Sequence, residues 1–212
     1  MIKINEIFYS IQGESSYVGY PTVFIRTSGC NLRCGYCDTT YAYYSGRLMS
    51  EEEIVAETLK HNANYVCVTG GEPLLQKEVL PLMKKFCDLG LKVSVETSGS
   101  IDCSDVDPRV KKIIDVKTPG SGEEKSFAQE NLRFVDVNTE FKFVICDEAD
   151  FAWAENFAKM NDLFSRSNVL YSPAFRRVDE KWLAKKILSE NSSARLQLQL
   201  HKYIWSAHSR GV

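Results

Sequence analysis

A chain of 212 residues, 44% apolar and 11% aromatic, is long enough for one domain with a well-buried core. Twenty-six basic residues against twenty-eight acidic ones leave a net charge of -2 with no run of five like charges, so a nucleic-acid groove or membrane-surface patch has no compositional support and a small ligand is the expected partner. No apolar run approaches the roughly 20 residues that span a bilayer, and MIKINEIFYSIQGE lacks a signal-peptide stretch, so a cytosolic protein is expected.

In chain order, PTVFIRTSG (21–29) reads as a strand, followed by the cysteine-rich loop CNLRCGYCDTTY. Ser50 with Glu53 three residues on forms a capping box, opening a helix whose apolar face includes Ile54, Val55 and Leu59. NYVCVTG is a buried strand ended by two glycines. Pro73 suits the start of the next helix, LLQKEVLPLMKKFCDLG, which closes on Gly90 and is kinked or split by Pro81. KVSVETSG is a third strand. SGSIDCSDVDPRV then shows no helical period, and KKIIDVKTPG, EFKFVICD, NVLYSP and RLQLQLHK give four more strands, with helices around 149–164 and 179–190. With no repeat or Gly/Ser linker, residues 1–212 read as one domain.

Strand and helix in alternation argue for a parallel α/β sheet with right-handed crossovers, open or curled toward a barrel, and the helix-free crossover points to an incomplete, trimmed one. Ligands in such sheets sit at the carboxyl ends of the strands. Cys30, Gly70-Gly71-Glu72-Pro73, Thr97-Ser98-Gly99 and Lys117 all fall there.

Seven cysteines is an odd count and argues against a disulfide framework. Cys67, Cys87 and Cys146 sit in apolar patterns and read as small core residues, while Cys103 stays undecided. Only Cys30, Cys34 and Cys37 cluster. Structural zinc takes four Cys or His ligands, and His61, His201 and His208 are distant in sequence. Ferredoxin-type clusters take four cysteines. C-x3-C-x2-C therefore points to an iron-sulfur cluster with one iron open to an outside ligand. A zinc site completed by a remote residue is the alternative.

C-x3-C-x2-C with Tyr36 just before its last cysteine resembles the radical S-adenosylmethionine (SAM) superfamily. The resemblance implies an incomplete radical-SAM-type (β/α) barrel with a largely parallel, six- to seven-stranded curved sheet. It also implies that Cys30, Cys34 and Cys37 hold a [4Fe-4S] cluster whose fourth iron binds SAM. One electron, from an external flavodoxin- or ferredoxin-type reductant, then splits SAM to methionine and a 5'-deoxyadenosyl radical. Gly70, Gly71 and Glu72 match the strip that lies over the SAM amino group, although GGEP alone is also an ordinary strand-to-helix turn.

A closer resemblance runs the length of the chain: FYSIQGE, CDT, TGGEP, ETSG, DVK and QLHKYIW are similar to the 7-carboxy-7-deazaguanine synthase family of queuosine precursor biosynthesis. That resemblance implies a magnesium-dependent lyase, commonly a homodimer. It converts 6-carboxy-5,6,7,8-tetrahydropterin to 7-carboxy-7-deazaguanine by radical ring contraction with loss of ammonia, and regenerates SAM.

The implied substrate residues are Gln12, Gly13, Glu14, Arg26, Thr69, His201 and, through its backbone, Val212. A pterin presents a guanidine-like edge whose polar groups need partners once buried, and Gln12 and Glu14 can supply them. Arg26 shares a strand face with Phe24, opposite Val23 and Ile25, and is a natural fork for a carboxylate, with edge-strand exposure as the plain alternative. Thr39 offers magnesium a hydroxyl oxygen, or is a turn residue. Tyr36, Ser98, Lys117, Ser172 and Pro173 resemble SAM contacts, with strand-end capping as the competing role. His201 follows LQLQL, whose alternation lines one face with Gln197 and Gln199. Ser15 stands where a glycine is frequent in the family, which bears on the shape of that loop. Two rival functions remain: a radical SAM activase acting on a partner protein, and a non-enzymatic zinc-binding module.

Overall fold

The computed structural model describes residues 1–205 and 209–212, so His208 lies outside the described residues. Nine strands form one open sheet: β1 (Ile2–Ile11), β2 (Pro21–Thr27), β3 (Arg47–Met49), β4 (Tyr65–Gly70), β5 (Lys92–Thr97), β6 (Lys111–Asp115), β7 (Thr139–Ile145), β8 (Asn168–Pro173) and β9 (Arg195–Leu196), in the order β3-β1-β2-β4-β5-β6-β7-β8-β9. From β2 to β9 seven strands pair parallel, as expected from sequence. The antiparallel strands β1 and β3 widen the sheet beyond the expected set. The signal for β1 is its alternation, with Ile2 and Ile4 each 2% exposed.

The helices are α1 (Glu51–Leu59), α2 (Val79–Asp88), α3 (Glu148–Met160), α4 (Leu163–Arg166), α5 (Glu180–Ser189) and α6 (His201–Ile204). The capping box is present: Glu53 N donates to Ser50 Oγ at 3.2 Å, and Ser50 N donates to Glu53 Oε2 at 2.7 Å. The expected helix after Pro73 is split into a 3-10 turn (Pro73–Leu75) and α2, with Pro81 in the first turn of α2, where its missing N–H has no intrahelical partner to lose.

Alternation divides each strand into two faces. On β2, Val23 and Ile25 are buried, as Phe141, Phe143 and Ile145 are on β7, where Phe143 meets Trp153 and Phe157 of α3 edge-on. The opposite face carries Phe24 and Arg26 on β2 and Lys142 on β7, which line a cavity. Residues 98–110 contain no helix. Cys103, Val106 and Val110 fill that flank from a loop held by Asn131, whose side chain accepts from Cys103 N at 2.8 Å and donates to Gly99 O at 2.9 Å. Cys103 is thus a core residue, as is Cys67. All seven cysteines are free thiols.

The expected strand RLQLQLHK needs correction. Only Arg195 and Leu196 pair with β8; the partner strand ends at Pro173, which has no N–H to extend the ladder. The chain instead turns inward, Leu200 N donating to Gly13 O at 3.0 Å, and His201 opens α6 rather than alternating along a strand. Among the described residues no helix is long and apolar enough to cross a membrane.

Candidate active site

A cavity of about 800 Å³ opens at the carboxyl ends of the parallel strands, in the range of small-molecule sites (about 300–1,000 Å³). Cys30, Cys34 and Cys37 border it on the loop after β2. Two glycines let β4 end directly against that loop. A Cβ on Gly71 would stand 2.2 Å from Gly29 O and 2.7 Å from Cys30 Cβ; one on Gly70, at φ 152°, would stand 2.4 Å from Thr27 Oγ1. The strip therefore packs backbone to backbone on the cysteine loop, which a plain strand-to-helix turn does not require.

Glu72 is buried, and its carboxylate accepts from Leu74 N (3.0 Å), Thr97 Oγ1 (2.8 Å), Ser98 N (2.8 Å) and Ser98 Oγ (2.6 Å). Its side chain fastens β4 to β5 and does not line the cavity. Ser172 and Pro173 are also buried outside the lining, where Ala174, Phe175 and Arg176 take their place. Thr39 lines the cavity and donates its hydroxyl to Asp38 Oδ1 at 2.9 Å.

The thiols suit a metal cluster. Burial pushes the Cys34 thiol up to about 11 and raises Cys30, so a bound metal must displace their protons. Among the described residues no three His, Cys, Asp or Glu side chains converge as a single-ion site. A [4Fe-4S] cubane takes each thiolate on a different iron and needs no such convergence. Beside the thiols, the Tyr36 hydroxyl is buried with no hydrogen-bond partner among the described residues, and Lys117 Nζ lies 5.8 Å from the Tyr36 ring centre.

The other wall is polar. In β1 a bulge between Ile4 and Glu6 resets the register so that Glu6 faces Arg26, and Arg26 Nε meets Glu6 Oε1 at 2.7 Å. Gln12 and Glu14 reach in from the loop after β1, with Glu14 Oε2 at 2.6 Å from Lys142 Nζ and Glu14 Oε1 accepting from Gln199 Nε2 at 2.8 Å. Burial raises the Glu14 carboxyl, but Lys142 and His201 outweigh it and hold the group below its ordinary range. Thr69 donates to Glu96 Oε2 at 3.0 Å. His201 also lines the cavity and rests on Gly13, where a Cβ would stand 2.0 Å from His201 Nδ1. Val212 reaches the rim.

Among the lining residues outside the expected set are three charged side chains carried by the parallel strands: Glu96, Asp115 and Lys142. Asp115 pairs with Lys117 and Lys142, each at 3.1 Å. Their signal is a single charge set into a largely apolar run, VSVET, IID and FKFVI, where a sheet covered on both faces would be apolar throughout.

The family model described as Radical SAM superfamily matches residues 24–118, which include the cysteine loop and glycine strip. Sheet, loop and strip together define the radical SAM class of enzymes. Over the whole of both chains the sequence is 44% identical to a 7-carboxy-7-deazaguanine synthase of Koribacter versatilis, and it is 42% identical to one of Chlorobaculum tepidum over 100% of this chain and 97% of that one. The chain belongs to the 7-carboxy-7-deazaguanine synthase family. The crystal structure of QueE from Escherichia coli shares the fold, with TM-score 0.74 and 22% identity over 94% of both chains. The structure of TYW1 with a lysine-pyruvate adduct aligns at TM-score 0.55 over 81% of this chain and 74% of that one. Family membership sets aside the zinc-binding module and the activase.

Proposed function

We propose that the protein converts 6-carboxy-5,6,7,8-tetrahydropterin to 7-carboxy-7-deazaguanine by radical ring contraction with loss of ammonia, residues 1–212 acting as one domain. The observation that carries this reading is the cavity itself. One wall is the cysteine loop and glycine strip; the other is the polar set Gln12, Glu14, Arg26, Thr69 and His201.

Cys30, Cys34 and Cys37 would hold a [4Fe-4S] cluster, with SAM against Gly70, Gly71, Tyr36, Ser98 and Lys117. When bound, these groups supply the 5'-deoxyadenosyl radical that abstracts hydrogen from the substrate. The protein's own work is orientation and exclusion of water. Gln12 and the ionised Glu14 present acceptors to the guanidine-like edge. Arg26 offers the guanidinium nitrogens that have no partner among the described residues to the substrate carboxylate, with Glu6 fixing the plane of the fork. Thr39 would give magnesium one oxygen, the remaining ligands being water and substrate. His201 closes the chamber above Gly13. Homodimer assembly, a flavodoxin- or ferredoxin-type reductant and a cytoplasmic location complete the proposal.

The test is an anaerobic assay of cluster-loaded protein with the pterin, SAM, dithionite and magnesium. The deazaguanine mass is expected. Protein that cleaves SAM reductively yet leaves the pterin unchanged would overturn the substrate assignment.

A further inference from the structure

Lys142 stands mid-strand on the cavity face of β7, 8% exposed, its ammonium 2.6 Å from Glu14 Oε2 and 3.1 Å from Asp115 Oδ2. Glu140, two residues earlier on the same face, holds Ser16 through its backbone N–H at 3.0 Å. The segment 14–16 is thus fastened to β7 by two rungs, one of them an ion pair. A buried ammonium is tolerated only when paired, and Lys142 has two carboxylates, so it stays charged.

We propose that Lys142 is a positioning residue for substrate recognition: it holds Glu14 as an acceptor-only carboxylate, in one orientation, for the donor-rich edge of a bicyclic heterocycle. The proposal rests on the reading of the cavity as the pterin site. An ionised carboxylate accepts at both oxygens, whereas a protonated one turns a donor toward N–H groups that need acceptors. Gln199 occupies one side of Oε1 and Lys142 one side of Oε2, leaving the remaining lone pairs for ligand.

Of the charged groups around Glu14, Lys142 does most to keep it ionised, with His201 the lesser contributor. His201, on α6, is itself pushed toward neutrality by burial. Asp115 on β6 and Glu96 on β5 bring carboxyl groups rather than cations, and Lys117 is taken up by Asp115. Arg26 on β2 is paired with Glu6. Without Lys142, Glu14 would be a buried carboxylate among other carboxyl groups, the setting that favours its protonated form.

The test is equilibrium binding of 6-carboxytetrahydropterin to cluster-loaded, SAM-bound protein without reductant, between about pH 6 and 8.5. Wild-type affinity is expected to be flat across this range. Lys142→Met is expected to bind at least about tenfold more weakly near neutrality and to regain affinity as pH rises, with Lys142→Arg restoring most of the loss. Wild-type affinity and a flat profile in Lys142→Met overturn the inference, as does an equal loss at every pH that arginine does not rescue. Failure of the wild-type protein to bind the pterin sinks the cavity reading instead. If Lys142→Met does not load its cluster, the double variant Glu14→Gln, Lys142→Met leaves no lone buried charge and decides. Flat binding weakened as in Glu14→Gln alone supports the role; wild-type affinity overturns it.

Discussion

Lys202 closes on Asp38 across 164 positions of sequence, ammonium to carboxylate 2.5 Å. Asp38 lies between Cys37 and Thr39, and Lys202 follows His201, so one ion pair fastens the segment over the polar wall to the loop that carries the thiols. Phe175 backs the pair, with Lys202 Nζ 4.9 Å from its ring centre.

Because the Asp38 side chain is 55% exposed, the pair contributes no more than about 1 kcal/mol to stability. Its weight falls on position. Lys202→Met is expected to leave the melting temperature within a few degrees of wild type while lowering turnover roughly tenfold to a hundredfold, since small misplacements of contact groups cost that much. A melting curve and a steady-state assay on one preparation check both halves; a large thermal loss with unchanged turnover contradicts the assignment.

Two neighbouring positions in the loop after β1 should respond oppositely to small changes. Ser15 holds φ at 66°, the left-handed region where glycine is at ease, while its Oγ accepts from Tyr17 N at 3.1 Å. Ser15→Gly removes about 1 kcal/mol of backbone strain and loses one hydrogen bond of similar worth, so denaturant unfolding is expected to shift by less than about 1 kcal/mol. Gly13→Ala places a methyl 2.0 Å from His201 Nδ1 and must displace the imidazole. Substrate binding by that variant is expected to fall sharply, which titration of the pterin measures.

Glu72 is the most heavily bonded carboxylate at the end of β4. Glu72→Ala leaves Leu74 N, Ser98 N and two hydroxyls without their acceptor in a buried setting, and is expected to cost about 3 kcal/mol or more in urea unfolding. Stability within 1 kcal/mol of wild type would show that water replaces the carboxylate there.

His201 sets a pH window for stability. Burial pulls its imidazole below the ordinary 6.5 against the attraction of Glu14. The unfolded chain therefore takes up the proton first as pH falls. The stabilisation is complete above about pH 6.5 and is lost on acidification through the lower folded value. The carboxyls of Glu14 and Asp115, held below their ordinary values, titrate in a separate, more acidic window. Thermal melts across the window are expected to fall toward acid in wild type and to flatten in His201→Gln.

The parallel strands were legible in sequence because VFI, YVCV and FKFV are short β-branched or aromatic runs bounded by turn residues, and the cysteine loop because three thiols in eight residues have few other uses. The short strand β9 was not, since LQLQL alternates as a strand should; what stops it is the proline ending its neighbour, a tertiary fact. Glu72 reads as part of a ligand strip, but the side chain is turned by partners 25 and 26 residues away. Lys142 looked like one charge in a strand until β6 and the loop after β1 brought Asp115 and Glu14 to it.

The bracing of segment 14–16 against β7 carries a consequence for how this chamber can change. A closed barrel has its girth dictated by the stagger of hydrogen bonds around the ring. Here the inner partition is tied by side chains, Glu14 to Lys142 and Ser16 to Glu140, so its width is not quantised by strand register. Exchanging those four residues resizes the chamber while every rung of the sheet stays where it is.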